Sequence, residues 1–252
     1  MLQKILILIL GALLLSACSE SSNSELPVKS QIEEHNKKLE DGKAKEGGTE
    51  FVQEISKPRA RGYDIEPDDM VLGNKESKVV FVEYFAPTCP HCVTYHKRIF
   101  PKIQKKYIDT GKIAYVMREV IGNKQDMDAT ILARCSGDID NYIKFTNVIL
   151  NQQNSWVFSK NYREILTNIG SLGGISAEQY AACLNDEVKI ATLIENTKLV
   201  MGEPNFIGTP SFFINGKHFT APYTEEELEK AINAELEIVA STTDLEEKNN
   251  GS

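Results

Sequence analysis

Apolar and polar positions divide this chain into stretches of different period. Residues 5–15 run from Ile5 to Leu15 without a polar side chain, behind a single positive charge at Lys4. Residues 19–48 are the opposite, with twelve charged side chains, no aromatic, and only Leu26, Val28, Ile32 and Leu39 as large aliphatics. From 51 onward the pattern becomes that of a folded domain. Residues 51–55 could form an edge strand, and the breakers Pro58, Pro67 and Gly73-Asn74 then argue against long elements. Residues 78–85, Lys-Val-Val-Phe-Val-Glu-Tyr-Phe, are β-branched and aromatic, as expected of a strand buried on both faces of a sheet. Ala86-Pro87-Thr88 interrupts the run, and the spacing of Val93, Ile99, Ile103 and Tyr107 predicts a helix over 89–107. Residues 113–120 return to strand, completing a β-α-β unit that implies a parallel pair with a right-handed crossover.

The 85 or so residues between this unit and Asn205 are too many for a structureless connection, and their periodicity is helical over 129–135, 142–150, 162–169 and 177–200. Ser176 and Gln179 have capping-box spacing at the start of the last helix. Phe206 and residues 211–214 supply strand material, Asn215-Gly216 predicts a tight hairpin, and 217–220 the return strand. Thr224 followed by Glu225, Glu226 and Glu227 caps a final helix through Leu228, Ile232 and Leu236, ahead of a polar tail over 241–252. The expected organisation is therefore a leader over 1–17, a polar tether over 18–50, and an α/β domain over 51–240 with a helical block inserted at about 121–204.

Composition narrows the function classes. Thirty-six acidic against 28 basic residues give a net charge of −8, which argues against nucleic-acid binding, since a phosphate-neutralising surface is basic. The tether cannot bury enough apolar surface to offset its ordering entropy. The leader has the shape of a secretory signal, because its apolar run is too short to span a bilayer. Leu15-Ser16-Ala17-Cys18 also resembles the bacterial lipobox, which implies cleavage before Cys18 and its acylation. Export places the other cysteines in an oxidising compartment, periplasmic or otherwise extracytoplasmic.

Cys89-Pro90-His91-Cys92 falls where the predicted strand ends and the helix begins. An i, i+3 pair in a first helical turn brings two Cα atoms to the separation a disulfide spans. Cys89 would face unpaired N–H groups and the positive end of the helix dipole, both of which favour thiolate. Pro90 loses nothing there by lacking an N–H, and His91 adds a donor or positive charge beside the sulfur. Cys92, one turn inward, suits a resolving role. A zinc site fits less well, because there is one Cys-x-x-Cys and the remaining cysteines are isolated, and no other metal or cofactor is implied.

The run 85–92, Phe-Ala-Pro-Thr-Cys-Pro-His-Cys, together with Gly208-Thr209-Pro210-Ser-Phe-Phe213, resembles the DsbA family of the thioredoxin superfamily, exported bacterial thiol:disulfide oxidoreductases. The depressed cysteine pKa that family is known for is thus inherited as an expectation. The resemblance implies a thioredoxin fold over roughly 71–237, with Cys89 and Cys92 as the redox pair and Pro210 as a cis-proline beside it, so that Thr209 and Pro210 meet the client segment. It implies that Glu83 is a buried acid relaying protons, with a raised pKa, and offers Arg118 as a charge partner. It also implies a non-catalytic disulfide between Cys135 and Cys183, reduced exported proteins as clients, and a quinone-linked membrane oxidant. Two other readings stay open: an isomerase or reductase of the same fold, and a surface lipoprotein in which Cys89–Cys92 is merely structural. His35, His96 and His218 are expected to be surface or packing residues, and Trp156 to fill the helical block's core.

Overall fold

A computed structural model describes residues 64–203 and 206–250, the last eight as backbone alone. The leader, Cys18, the tether, His35 and the expected strand at 51–55 lie outside the described residues.

Five strands form one mixed sheet in the order β1-β3-β2-β4-β5. The central pair is β2 (Val80–Phe85) and β3 (Ala114–Glu119), parallel and in register from Val80↔Ala114 to Phe85↔Glu119. Both strands are almost wholly buried, which is why they read as continuous apolar runs. On one side β4 (Ser211–Ile214) pairs antiparallel with β2 and turns back into β5 (Lys217–His218). Asn215 at φ 47° and Gly216 at φ 76° make the turn between them, the left-handed conformation that Asn-Gly favours. On the other side β1 (Met70–Gly73) pairs antiparallel with β3. This edge strand lies in the stretch whose breakers argued only for irregular structure. Its four residues are too few to show a period, and the burial of Val71 against β3 forms it.

Helix α1 (Pro90–Arg98) follows β2. The sequence predicts one helix over 89–107, but the structure breaks it at Ile99, resuming as α2 (Phe100–Ile103) and a π-helical turn over Gln104–Ile108. Pro101 is the cause: it has no N–H to give to the carbonyl four residues back. The helical block between β3 and β4 comprises α3 (Lys124–Arg134), α4 (Ile139–Asn151), the short α5 (Gln153–Trp156), α6 (Tyr162–Leu172), α7 (Ala177–Cys183) and α8 (Glu187–Met201). The single helix expected over 177–200 is therefore two, because Asp186 takes the Lys189 N–H at 3.0 Å and starts a new helix. The Ser176 capping box is formed in both directions. Trp156 is fully buried within the block, its indole N–H donating to Ile149 O at 2.9 Å. Helix α9 (Glu225–Asn250) is the last described element and continues through most of the segment expected to be a polar tail.

Two apolar clusters flank the sheet. Phe81, Phe85, Tyr115, Met117 and Phe212 pack with α1 and the helical block on one face, while Val82, Tyr84, Val116 and Phe213 pack with Val200 on the other. The architecture is a thioredoxin fold with a helical block inserted between its two halves.

Candidate active site

The central strand β2 delivers the chain to residues 86–88, and α1 begins immediately after Cys89. Cys89 is the helix N-cap in extended conformation, with Pro90 at the first helical position. Cys89 is half-buried, Pro90 and His91 are exposed, and Cys92 is fully buried. Both cysteines are thiols in this structure.

The two sulfurs are electrostatically unlike. The Cys89 pKa falls from 9.0 to about 5, chiefly because the Cys92 thiol donates to the Cys89 sulfur. Partial burial opposes ionisation, while the Thr209 hydroxyl and the backbone N–H groups of Cys92 and His91 favour it. The thiol makes no formal capping hydrogen bond, so the pull of these N–H groups acts on the charge once it forms. Cys89 Sγ instead donates to Thr209 O at 3.1 Å, a contact that favours the thiol because a carbonyl can only accept. The donors outweigh it. Burial pushes the Cys92 thiol well above 9, and the negative charges of Cys89 and Glu83 add to the effect.

The Thr209-Pro210 peptide bond is cis and packs beside Cys89 through that carbonyl. Ile207, three residues before the proline, is almost fully exposed. Tyr223, at the start of the last segment, lies close enough for both sulfurs to raise its phenol pKa, after the larger contribution of burial.

Glu83 lies beneath the pair, completely buried and on the sheet face shared with Phe81 and Phe85. Its partner is not Arg118. The parallel register sets Glu83 opposite Met117, so Arg118, one position on, projects to the other face. There Arg118 grips Asp69 with Nε at 2.8 Å and a terminal nitrogen at 2.6 Å. Glu83 is held instead by His96 from α1, whose Nε2 lies 3.0 and 3.1 Å from the two carboxylate oxygens, and by Tyr115, whose hydroxyl donates at 2.7 Å. Tyr95 extends this network to Tyr115 at 2.9 Å. Burial and the Glu83 charge hold both phenols well above their ordinary pKa, so they remain protonated. His96, expected only as a surface or packing residue, is thus the residue that sequence reasoning missed. The available signal was its place one helical turn after Cys92 on the inward face of α1.

Away from this centre, Cys135 and Cys183 are joined by a disulfide that ties α3 to α7, with Cα atoms 5.8 Å apart. Among the described residues no cluster of three His, Cys, Asp or Glu could hold a metal ion. His218 accepts or donates with Ser211 Oγ at 3.0 Å in the hairpin.

A half-buried cysteine of low pKa and a fully buried one at the first turn of the helix after a central strand, on this sheet, define a thiol:disulfide oxidoreductase. The family model described as Thioredoxin matches residues 66–234. A Rickettsia prowazekii relative, provisionally named a protein-disulfide oxidoreductase, is 56% identical over 189 residues, covering 73% of this chain and 69% of that one. The disulfide bond formation protein D of Bacillus subtilis is 25% identical over 173 residues, 66% of this chain and 76% of the relative. Among solved structures, alpha-DsbA1 of Wolbachia pipientis superposes with a TM-score of 0.66 at 24% identity, covering 71% of this chain and 96% of that one. BdbD of Bacillus subtilis does so with a TM-score of 0.61 at 23% identity, covering 71% and 96%. The chain belongs to the thioredoxin family, with a protein-disulfide oxidoreductase among its relatives.

Proposed function

We propose that this protein oxidises exported proteins, donating a Cys89–Cys92 disulfide to pairs of client thiols. The observation that carries the reading is the split acidity of the two sulfurs, about 5 at Cys89 against well above 9 at Cys92. A client thiolate attacks Cys89 Sγ in the disulfide, and the Cys92 sulfur leaves with the electron pair. Being buried and basic, Cys92 takes up one proton and stays neutral. Glu83, fully buried and close enough to influence Cys92, is the group proposed to relay that proton, with His96 and Tyr115 holding it in place.

A second client thiolate then attacks the client sulfur of the mixed disulfide. Cys89 is expelled as a thiolate, the good leaving group its low pKa makes it. In sum, two client thiols become one disulfide, two electrons pass to the enzyme, and one of the two protons released remains on Cys92. Thr209 and Pro210, beside the reacting sulfur, are proposed to meet the extended client segment around its cysteine. Turnover then needs a second oxidant to restore the disulfide, which we assign to a quinone-linked membrane partner. We place the enzyme outside the cytoplasm, tethered through an acylated Cys18; its leader and lipobox-like residues support this, and mass spectrometry of the mature N-terminus tests it.

The closing test is oxidation of reduced ribonuclease set against refolding of scrambled ribonuclease, with Cys89→Ser as control. Faster oxidation by the wild type that the variant lacks supports the reading. Activity on the scrambled substrate alone would replace it with isomerisation. A merely structural Cys89–Cys92 bridge would instead show an ordinary thiol pKa near 9 at Cys89.

A further inference from the structure

The loop that presents Cys89 is held from outside the thioredoxin core. Residues 86–88 join β2 to α1, and the Cys89 N–H closes the turn onto Ala86 O at 3.0 Å. Three side chains of the helical block reach into this loop. Asp126 Oδ1 accepts the Thr88 N–H at 2.9 Å, Asn123 Nδ2 donates to the Thr88 hydroxyl at 3.2 Å, and Gln153 Nε2 donates to Pro87 O at 2.8 Å. The residues just before the nucleophile therefore have their polar groups satisfied by α3, its N-cap and α5.

Asp126 is the centre of the arrangement. It is 1% exposed, and its second oxygen accepts the Gly122 N–H at 3.1 Å. Asn123, which engages Thr88, is also the N-cap that receives the Asp126 N–H at 2.9 Å. Burial raises its pKa to about 6, against the opposing pull of the hydrogen bonds from Thr88 and Gly122. A carboxylate held at such a disadvantage is there for its geometry, since it presents two acceptor oxygens to two N–H donors and has no donor of its own. An amide in its place would turn an NH₂ group toward one of those donors.

We propose that Asp126 is a positioning residue for the thiol chemistry: by fixing the Thr88 backbone, it sets the angle at which the first N–H groups of α1 meet the Cys89 sulfur. The acidity of Cys89, and with it the oxidising strength of the pair, is thereby tied to the docking of the helical block. This rests on the reading of Cys89 and Cys92 as a redox pair. Positioning and charge have opposite consequences here. If Asp126 acted through its negative charge, removing it would favour the Cys89 thiolate; if it acts by holding the loop, removing it disfavours the thiolate.

The test uses the full chain and the variants Asp126→Ala, Asp126→Asn and Gln153→Ala. The readouts are Cys89 thiolate absorbance against pH, the equilibrium constant with glutathione, and the melting temperature. Asp126→Ala should raise the Cys89 pKa by about one and shift the glutathione equilibrium about tenfold toward the disulfide form. Asp126→Asn, keeping one acceptor oxygen, and Gln153→Ala should shift both in the same direction by less. A Cys89 pKa that falls in either Asp126 variant overturns the proposal in favour of a charge effect. Unchanged pKa and equilibrium with a lower melting temperature overturn it in favour of simple packing. Should Asp126→Ala fail to fold, the other two variants decide. If the wild type itself does not exchange with glutathione through Cys89, the redox reading has failed and the loop restraint is not the cause.

Discussion

The split acidity should make the dithiol form of this protein the more stable one, by an amount that depends on pH. Cys89 ionises at about 5 in the folded dithiol protein and at about 9.0 unfolded, whereas in the disulfide it does not ionise at all. A depressed folded pKa contributes stability that is complete above pH 9, declines as pH falls, and vanishes below pH 5. At pH 7 linkage gives about 2.7 kcal/mol, which half-exposure of the sulfur reduces to about 1–2 kcal/mol. Between about pH 5 and about pH 8 Cys92 stays largely protonated in both folded and unfolded dithiol, so it adds little slope there. Urea titrations of the dithiol and disulfide forms, with Cys135–Cys183 intact in both, measure the difference directly. The gap should widen from about pH 5 to about pH 8, at no more than about 1.4 kcal/mol for each pH step of one. Groups shared by the two forms cancel. A gap that is flat over this range, or that narrows as pH rises, would refute the claim that thiolate stabilisation drives disulfide donation.

Four further outcomes follow from particular contacts. Glu83→Gln removes a buried negative charge that helps hold Cys92 protonated, so the Cys92 pKa should fall, as read from the pH dependence of its alkylation in a Cys89→Ser background. His96→Ala leaves the buried Glu83 without its α1 partner and should destabilise the fold by about 3–5 kcal/mol in urea; a loss under about 1 kcal/mol would mean Tyr115 alone satisfies the carboxylate. Replacing Cys135 and Cys183 together by alanine opens a bridge of sequence separation 48 and should cost about 4 kcal/mol by chain entropy while leaving the glutathione equilibrium of Cys89–Cys92 in place. The folded Asp126 pKa of about 6 lies above its ordinary 3.8, so its contribution is full below pH 3.8 and lost as pH rises through 6; wild-type stability measured against pH should show an acid-side gain of up to about 3 kcal/mol that Asp126→Asn lacks.

What the sequence made legible was local. The β-α-β unit, the Asn215-Gly216 hairpin and the Ser176 capping box were all readable because each depends on residues a few positions apart. Cys89-Pro90-His91-Cys92 was legible for the same reason, its chemistry being set by one helical turn. Departures came where a single residue overrode a periodic pattern, as Pro101 and Asp186 did in dividing expected helices, or where an edge strand of four residues was too short to have a period. The failed pairing of Glu83 with Arg118 is more instructive. Both sequence positions were identified as buried-strand charges, but which face each one takes depends on the register between β2 and β3, and a shift of one residue reverses the answer.

That register explains why the acid beneath the cysteines has a histidine for a partner. The sheet faces of β2 and β3 alternate, so the β3 residues on the Glu83 face are Tyr115, Met117 and Glu119, none of them a cation. The remaining approach is from above, where α1 crosses the same face. Cys92 and His96 are four residues apart on that helix, so both point down onto β2, one bringing the buried sulfur and the other the group that binds the carboxylate. The helix that acidifies Cys89 at its N-terminus thus also fixes the acid below Cys92. Loss of α1 geometry should disturb both sulfurs together, in opposite directions: Cys89 would lose the N–H groups that stabilise its charge, and Cys92 the burial that suppresses its own. The split between them, rather than either value alone, is what the position of α1 on the sheet determines.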